Sequence, residues 1–210
     1  MSISQGASTH TGNFTYQSGA SLQLTSGTYN FSSSSFIEGS GLPGLVITGG
    51  TYNFYGSLLN PESFSITSGS LVFWSPVFFN TTLTLSSASS IVFNSKSTIR
   101  SLRLTSTSTS NNVQINDEVC VQNLLLSGGS YLNIRSPGKL NVATSFEYSG
   151  TSTAYITGTA GGSLNLLPNC TTIFNGSNAN QYIAYINGKN LTTSFKINKK
   201  LNKKLNKKIN

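Results

Sequence analysis

The chain has 210 residues, of which 37% are hydrophobic and only 9% charged, and its formal net charge is +8. That length suits one domain or one elongated array, and the apolar share is below the roughly 45–50% usual in a compact globule. Seven of the thirteen basic residues lie between Lys196 and Lys208, so the remainder carries six basic against five acidic groups, a net of +1. The high charge therefore argues for no basic binding face on the body of the protein. Ser and Thr together make up close to three residues in ten, and no long stretch before residue 190 has helical periodicity.

Residues 1–12 read as a polar lead-in, and Phe14-Thr-Tyr16 as the tail of a preceding unit. From Leu22 one phrase recurs. Leu22-Gln-Leu-Thr-Ser-Gly-Thr-Tyr-Asn-Phe31 returns as Leu45-Val-Ile-Thr-Gly-Gly-Thr-Tyr-Asn-Phe54 and as Phe64-Ser-Ile-Thr-Ser-Gly-Ser-Leu-Val-Phe73. With one residue inserted it becomes Leu83-Thr-Leu-Ser-Ser-Ala-Ser-Ser-Ile-Val-Phe93, and looser copies start at Leu102 and Leu124. The start-to-start spacings, by subtraction, are 23, 19, 19, 19 and 22 residues, in the range of stacked repeats.

Within each copy, apolar first and third positions alternate with polar ones, as in a strand with one buried face. A Ser/Thr-rich corner with glycine follows, then a second alternating pair: Tyr29 and Phe31, Tyr52 and Phe54, Leu71 and Phe73, Ile91 and Phe93. A third apolar spot is expected at Phe36, Leu59, Phe78 and Ile99. Such a unit is too small to bury its own inward face, so successive units must stack. The fold expected is all-β: a single-stranded parallel β-solenoid, or right-handed β-helix, with coils of about 19–22 residues. It spans 13–195 and is most regular over 22–134. Stacking predicts one buried column of Phe31, Phe54, Phe73 and Phe93 and another of Leu24, Ile47, Ile66, Leu85, Leu104 and Leu126. The competing architecture is an antiparallel sandwich with regularly spaced strands.

The pattern loosens after Leu102, where Thr105–Asn112 lengthens the corner, and continues as Leu140 and Val142, Phe146 and Tyr148, Leu164 and Leu166. Residues 196–210 form a Lys/Asn-rich low-complexity tail with Ile197, Leu201, Leu205 and Ile209 at four-residue steps. Helical winding would put Lys199, Lys200, Lys203, Lys204, Lys207 and Lys208 around an apolar stripe, a segment able to meet an anionic lipid or nucleic-acid surface. Four-residue repetition of A/T-codable residues also arises without selection.

The coil length and the Leu-x-Leu/Ile-Thr-x-Gly-Thr/Ser-x-x-Phe phrase resemble right-handed β-helices of the filamentous-haemagglutinin and autotransporter-passenger kind, over residues 14–166. That resemblance implies a secreted or surface-exposed adhesin or scaffold. The chain departs from it in showing neither an export signal nor an N-terminal cap within these residues.

Enzymatic chemistry finds little to work with. β-Helix enzymes acting on polysaccharides need clustered carboxylates or bases, whereas Glu38, Glu62 and Glu147 occupy unlike positions and Asp117 and Glu118 are adjacent, hence on opposite strand faces. No cofactor or metal site is expected: His10 has no ligand at metal spacing. Cys120 and Cys170 are too few for a disulfide framework, and spacing leaves their pairing open. The hydroxyls after each third-position aliphatic (Thr25, Thr48, Thr67, Ser86, Thr105, Ser127) and three residues later (Thr28, Thr51, Ser70, Ser89, Ser108, Ser130) bracket a corner, which suits bonding to backbone. Six Asn-x-Ser/Thr sequons, at Asn13, Asn30, Asn80, Asn169, Asn175 and Asn190, match what this Ser/Thr content gives by chance.

The outward aromatics carry the binding hypothesis. With Phe54 and Phe73 inward, Tyr55 and Trp74 face out at one repeat position, near Phe78 and Phe79, where a sugar ring or a partner's apolar side chain would fit. The expected function is a non-enzymatic surface or extracellular solenoid, or a piece of one, acting as adhesin, spacer or scaffold. The alternatives are a solenoid binding carbohydrate or ice and, third, a polysaccharide-active enzyme. Expected partners are a glycan or protein at the aromatics, an anionic surface at the tail, and another copy of the chain end to end.

Overall fold

The inward columns expected from the repeat exist, residue for residue, in a computed structural model of the chain. It describes residues 2–3, 7–10, 14–15, 21–33, 36–38, 44–58, 64–86, 89–105, 112–127, 129–150, 154–158, 162–176 and 183–184. Every strand pair among them is parallel, and each strand pairs with its counterpart one repeat away. This is an all-β parallel solenoid. The expected sandwich alternative needs antiparallel pairs and is excluded.

Three stacks of strands build the walls. The first holds the repeat's opening strand, with Leu22 opposite Leu45, Leu45 opposite Phe64, Phe64 opposite Leu83, Leu83 opposite Leu102 and Leu102 opposite Leu124. The second is a 9-stranded sheet holding the Tyr-x-Phe strand of each coil. The third begins as the 3-stranded sheet Phe14–Thr15, Phe36–Glu38 and Ser57–Leu58. From Phe78 onward the third wall runs directly into the first, because Phe78–Leu85, Ser97–Leu104, Glu118–Ser127 and Lys139–Gly150 are long strands that turn the corner without a break. Register shifts at Phe79/Thr82 and Val121/Asn123 mark those bends, where an extra residue bends a strand and leaves pairing intact on either side.

The core is what the walls enclose. Leu24, Ile47, Ile66, Leu85, Leu104 and Leu126 are fully buried and in register, and Tyr148 continues the column. The rings of Phe31 and Phe54 stack with centroids 4.6 Å apart, Phe54 and Phe73 at 5.4 Å, and Phe73 and Phe93 at 5.5 Å. Ile115 and Ile134 extend this column where the sequence turns from aromatic to aliphatic. In-register stacking makes like sit on like, so each coil closes its neighbour's inward face.

Three expectations need correction. The lead-in is structured: Ser2–Ile3 and Ala7–His10 are strands pairing with Gln23–Leu24 and Thr28–Phe31. On the third wall the inward residue is Phe79, opposite Ile99, and not Phe78, which is opposite Thr98; Val77, Pro76 and the strand's alternation fix the phase. The side chain of Phe36, and Leu59 altogether, lie outside the described residues. In the second hydroxyl rank, Ser90 and not Ser89 stands opposite Ser70, with Ser89 opposite Gly69. Leu85 pairs with Ile66 and Ser89 with Gly69, so the register takes up the extra residue between them.

The corners explain the Ser/Thr content. Gly50 and Gly69 have φ of +87° and +97°, and a Cβ on either would lie 2.6 Å from the Gly27 oxygen or 2.7 Å from the Gly50 oxygen in the coil beneath. Only glycine supplies both the left-handed turn and the close approach. Beside it, the corner hydroxyls staple coil to coil. Thr67 Oγ1 donates to the Ile47 carbonyl at 3.3 Å, Ser86 Oγ to Ile66 at 3.0 Å, Thr105 Oγ1 to Leu85 at 3.1 Å and Ser127 Oγ to Leu104 at 2.9 Å. The expected backbone bonding is there, directed to the preceding coil.

Candidate functional site

The exposed aromatics gather at the corner between the second and third walls. Strand alternation turns Phe54 and Phe73 inward and the next residue of each coil outward, which leaves Tyr55 41% and Trp74 48% exposed. Their rings lie over one another, centroids 5.8 Å apart and planes 5° from parallel. The backbone beneath is held at every polar atom. Tyr55 N–H donates to the Phe31 carbonyl and Trp74 N–H to that of Phe54, each at 2.8 Å. Ser75 Oγ donates to the Tyr55 carbonyl, and Ser95 Oγ donates to that of Trp74 at 3.2 Å. The ledge is therefore fixed on the scaffold, with one face of each ring covered by its neighbour and the outer edges in solvent.

Phe78 is 54% exposed on the third wall, four residues beyond Trp74, with exposed Pro76 between them. Phe79 does not join this surface. It is 1% exposed and meets the Phe73 ring edge-on at 5.8 Å, so its place is in the core, where the bend carries the strand's odd-numbered residues inward. The tail lysines Lys199, Lys200, Lys203, Lys204, Lys207 and Lys208 lie outside the described residues.

The repeat position of Tyr55 and Trp74 continues beyond them, a feature the sequence reading missed. Main-chain bonds place Asn94 over Trp74's coil (Asn94 N–H to the Phe73 carbonyl, 2.8 Å) and Asn116 next (N–H to the Phe93 carbonyl, 2.9 Å). Their side chains form a directed line: Gln114 Nε2 donates to Asn116 Oδ1 at 2.9 Å, and Asn116 Nδ2 donates to Asn94 Oδ1 at 2.6 Å. Each of these asparagines follows the last inward residue of its strand, as the aromatics do, but only the amide bonds single them out.

Asp117 and Glu118 are each held by a local hydrogen bond. Asp117 Oδ1 accepts the Glu118 N–H at 2.7 Å. Glu118 Oε1 accepts Asn141 Nδ2 at 2.8 Å, while its Oε2 is 3.8 Å from the exposed Lys96 Nζ. Among the described residues no three of His, Cys, Asp and Glu are grouped to hold a metal ion. Cys120 and Cys170 are free thiols, and burial pushes the Cys170 thiol up against the opposing effect of the Phe146 backbone hydrogen bond.

Comparison with protein-family models, with characterised proteins and with solved structures finds no match to this chain.

Proposed function

We propose that the protein is a non-enzymatic β-solenoid that works by display, as an adhesin or scaffold at a surface or outside the cell. Its second-to-third corner holds Tyr55, Trp74 and Phe78 out to a partner. The observation that carries this reading is the stacked Tyr55–Trp74 pair, left in solvent while Phe31, Phe54, Phe73, Phe79 and Phe93 pack inside. Exposed apolar surface has a cost in water, and a contiguous group of it marks an interaction site. Aromatic rings suit that use, because they give large contact area at little loss of rotamer freedom. The adjacent acids, each already bonded, offer no poised general acid–base pair, and this favours a binding role over catalysis.

The test is adhesion of beads coated with the chain to surfaces carrying cellulose, chitin, collagen or fibronectin. Retention on at least one surface is expected, and Trp74→Ala combined with Phe78→Ala should remove it with the unfolding midpoint unchanged. Equal retention by wild type and variant would overturn the proposal, as would retention on none of the four.

A further inference from the structure

We infer that the ledge is one end of a binding strip for a neutral glycan chain laid along the solenoid axis, over Tyr55, Trp74, Asn94 and Asn116. The inference rests on the display reading and names the ligand class and its direction. Four consecutive coils present these residues at the same position, so the strip steps by one coil rise of ~4.8 Å. The stacked rings turn an apolar rim to solvent, against which the C–H groups of a pyranose pack. The amides that follow offer hydrogen bonds to its hydroxyls. Convergence of apolar faces with a few placed polar groups is what orients a small ligand.

The direction of the amide line makes the polar half specific. Gln114 donates to Asn116 and Asn116 donates to Asn94, so each amide polarises the next in the same sense. The line ends at Asn94 Nδ2, whose N–H groups have no protein acceptor among the described residues, one coil from the Trp74 ring. A strengthened donor is thus placed where the aromatic platform stops, and a sugar oxygen is a fitting acceptor. Charge selects among glycans. The four strip residues are uncharged; Arg135 takes the same position in the next coil, where the uncharged run ends, and the flanking Lys96 lies 3.8 Å from the Glu118 carboxylate. With no charge on the four strip residues themselves, recognition there rests on apolar contact and amide hydrogen bonds, which suit a neutral glycan.

The test uses the full chain and reads Trp74 fluorescence and calorimetry with cellohexaose, chitohexaose and mannohexaose, their disaccharides, and hexagalacturonate as the acidic control. At least one neutral hexasaccharide should bind, ten or more times tighter than its disaccharide and than hexagalacturonate. Trp74→Ala should abolish binding. Asn94→Asp keeps the oxygen that accepts from Asn116 and deletes the free donor, so it should weaken hexasaccharide binding about tenfold with the unfolding midpoint held. If Asn94→Asp binds like wild type while Trp74→Ala does not, the strip is wrong and the ledge stands. Preference for hexagalacturonate overturns the neutral class. Binding of no neutral hexasaccharide overturns the inference outright, while bead adhesion to a protein surface decides the display reading separately.

Discussion

Thr105 gives both of its donors to one acceptor, the Leu85 carbonyl in the coil beneath: its N–H at 2.9 Å and its Oγ1 at 3.1 Å. Ser86 does the same to Ile66 and Thr67 to Ile47. A carbonyl has two lone pairs, and here the ladder bond takes one and the corner hydroxyl the other. Thr105→Val keeps the shape and removes only the hydroxyl, so it should destabilise by about 1 kcal/mol, the net worth of one hydrogen bond. Urea unfolding monitored by Trp74 fluorescence measures this; an unchanged midpoint would mean the hydroxyl bond adds nothing to the ladder.

The two phenylalanines Phe73 and Phe78 separate core from surface. Phe73 lies against Phe54, Phe79 and Phe93, and Phe73→Ala should cost roughly 3–5 kcal/mol through lost burial and the cavity left behind. Phe78→Ala, at an exposed position, should stay within about 0.5 kcal/mol of wild type. The same urea titrations decide both, and similar costs at the two sites would contradict the alternation on the third wall.

Gly69 tests the corner. Its φ of +97° and the Gly50 oxygen 2.7 Å from any added Cβ leave no room for a side chain. Gly69→Ala should cost at least the roughly 1–3 kcal/mol of a strained backbone position. Because the obstructing atom is main chain of the next coil, relief requires the coils to separate. Hydrogen exchange of the Ser70 amide, which donates to the Gly50 carbonyl, should therefore quicken. Stability equal to wild type would contradict the close stacking.

The walls of the solenoid were legible because two signals coincide in this sequence. Alternation with period two marks which side chains turn inward, and the recurring Leu-x-Leu and Tyr-x-Phe pairs mark which positions stack. Where one signal is missing the phase slips. Phe78 and Phe79 are both apolar, so alternation is silent between them, and only Val77 inward at the preceding position sets Phe79 inside. Ala7–His10 has no apolar alternation, yet the backbone of Thr28–Phe31 templates it as a strand. The aromatic half of the strip was readable because Tyr55 and Trp74 are conspicuous residue types. Asn94 and Asn116 were not, because an asparagine at a corner is ordinary until its amide is seen bonded to the next.

Alkaline pH probes the tyrosine column. Tyr52 is fully buried beneath the second wall, stacked on Tyr29 with ring centroids 5.5 Å apart, and its hydroxyl donates to the Ser26 carbonyl at 3.4 Å. Burial, with a smaller contribution from Tyr29, pushes its pKa up to about 12 from 10.0. A raised pKa means that the folded state holds the proton after the unfolded chain has lost it. Between pH 10 and about 12 the unfolded state binds fewer protons, so stability falls as pH rises. The contribution is complete below pH 10 and is lost as pH climbs through 12. Burial raises the pKa of Tyr148 in the same direction, so its loss adds to the same alkaline limb. Tyr52→Phe removes one of these groups, and its unfolding free energy should decline less steeply across that window than wild type. Parallel curves for the two proteins would show that Tyr52 keeps no proton beyond what the unfolded chain keeps.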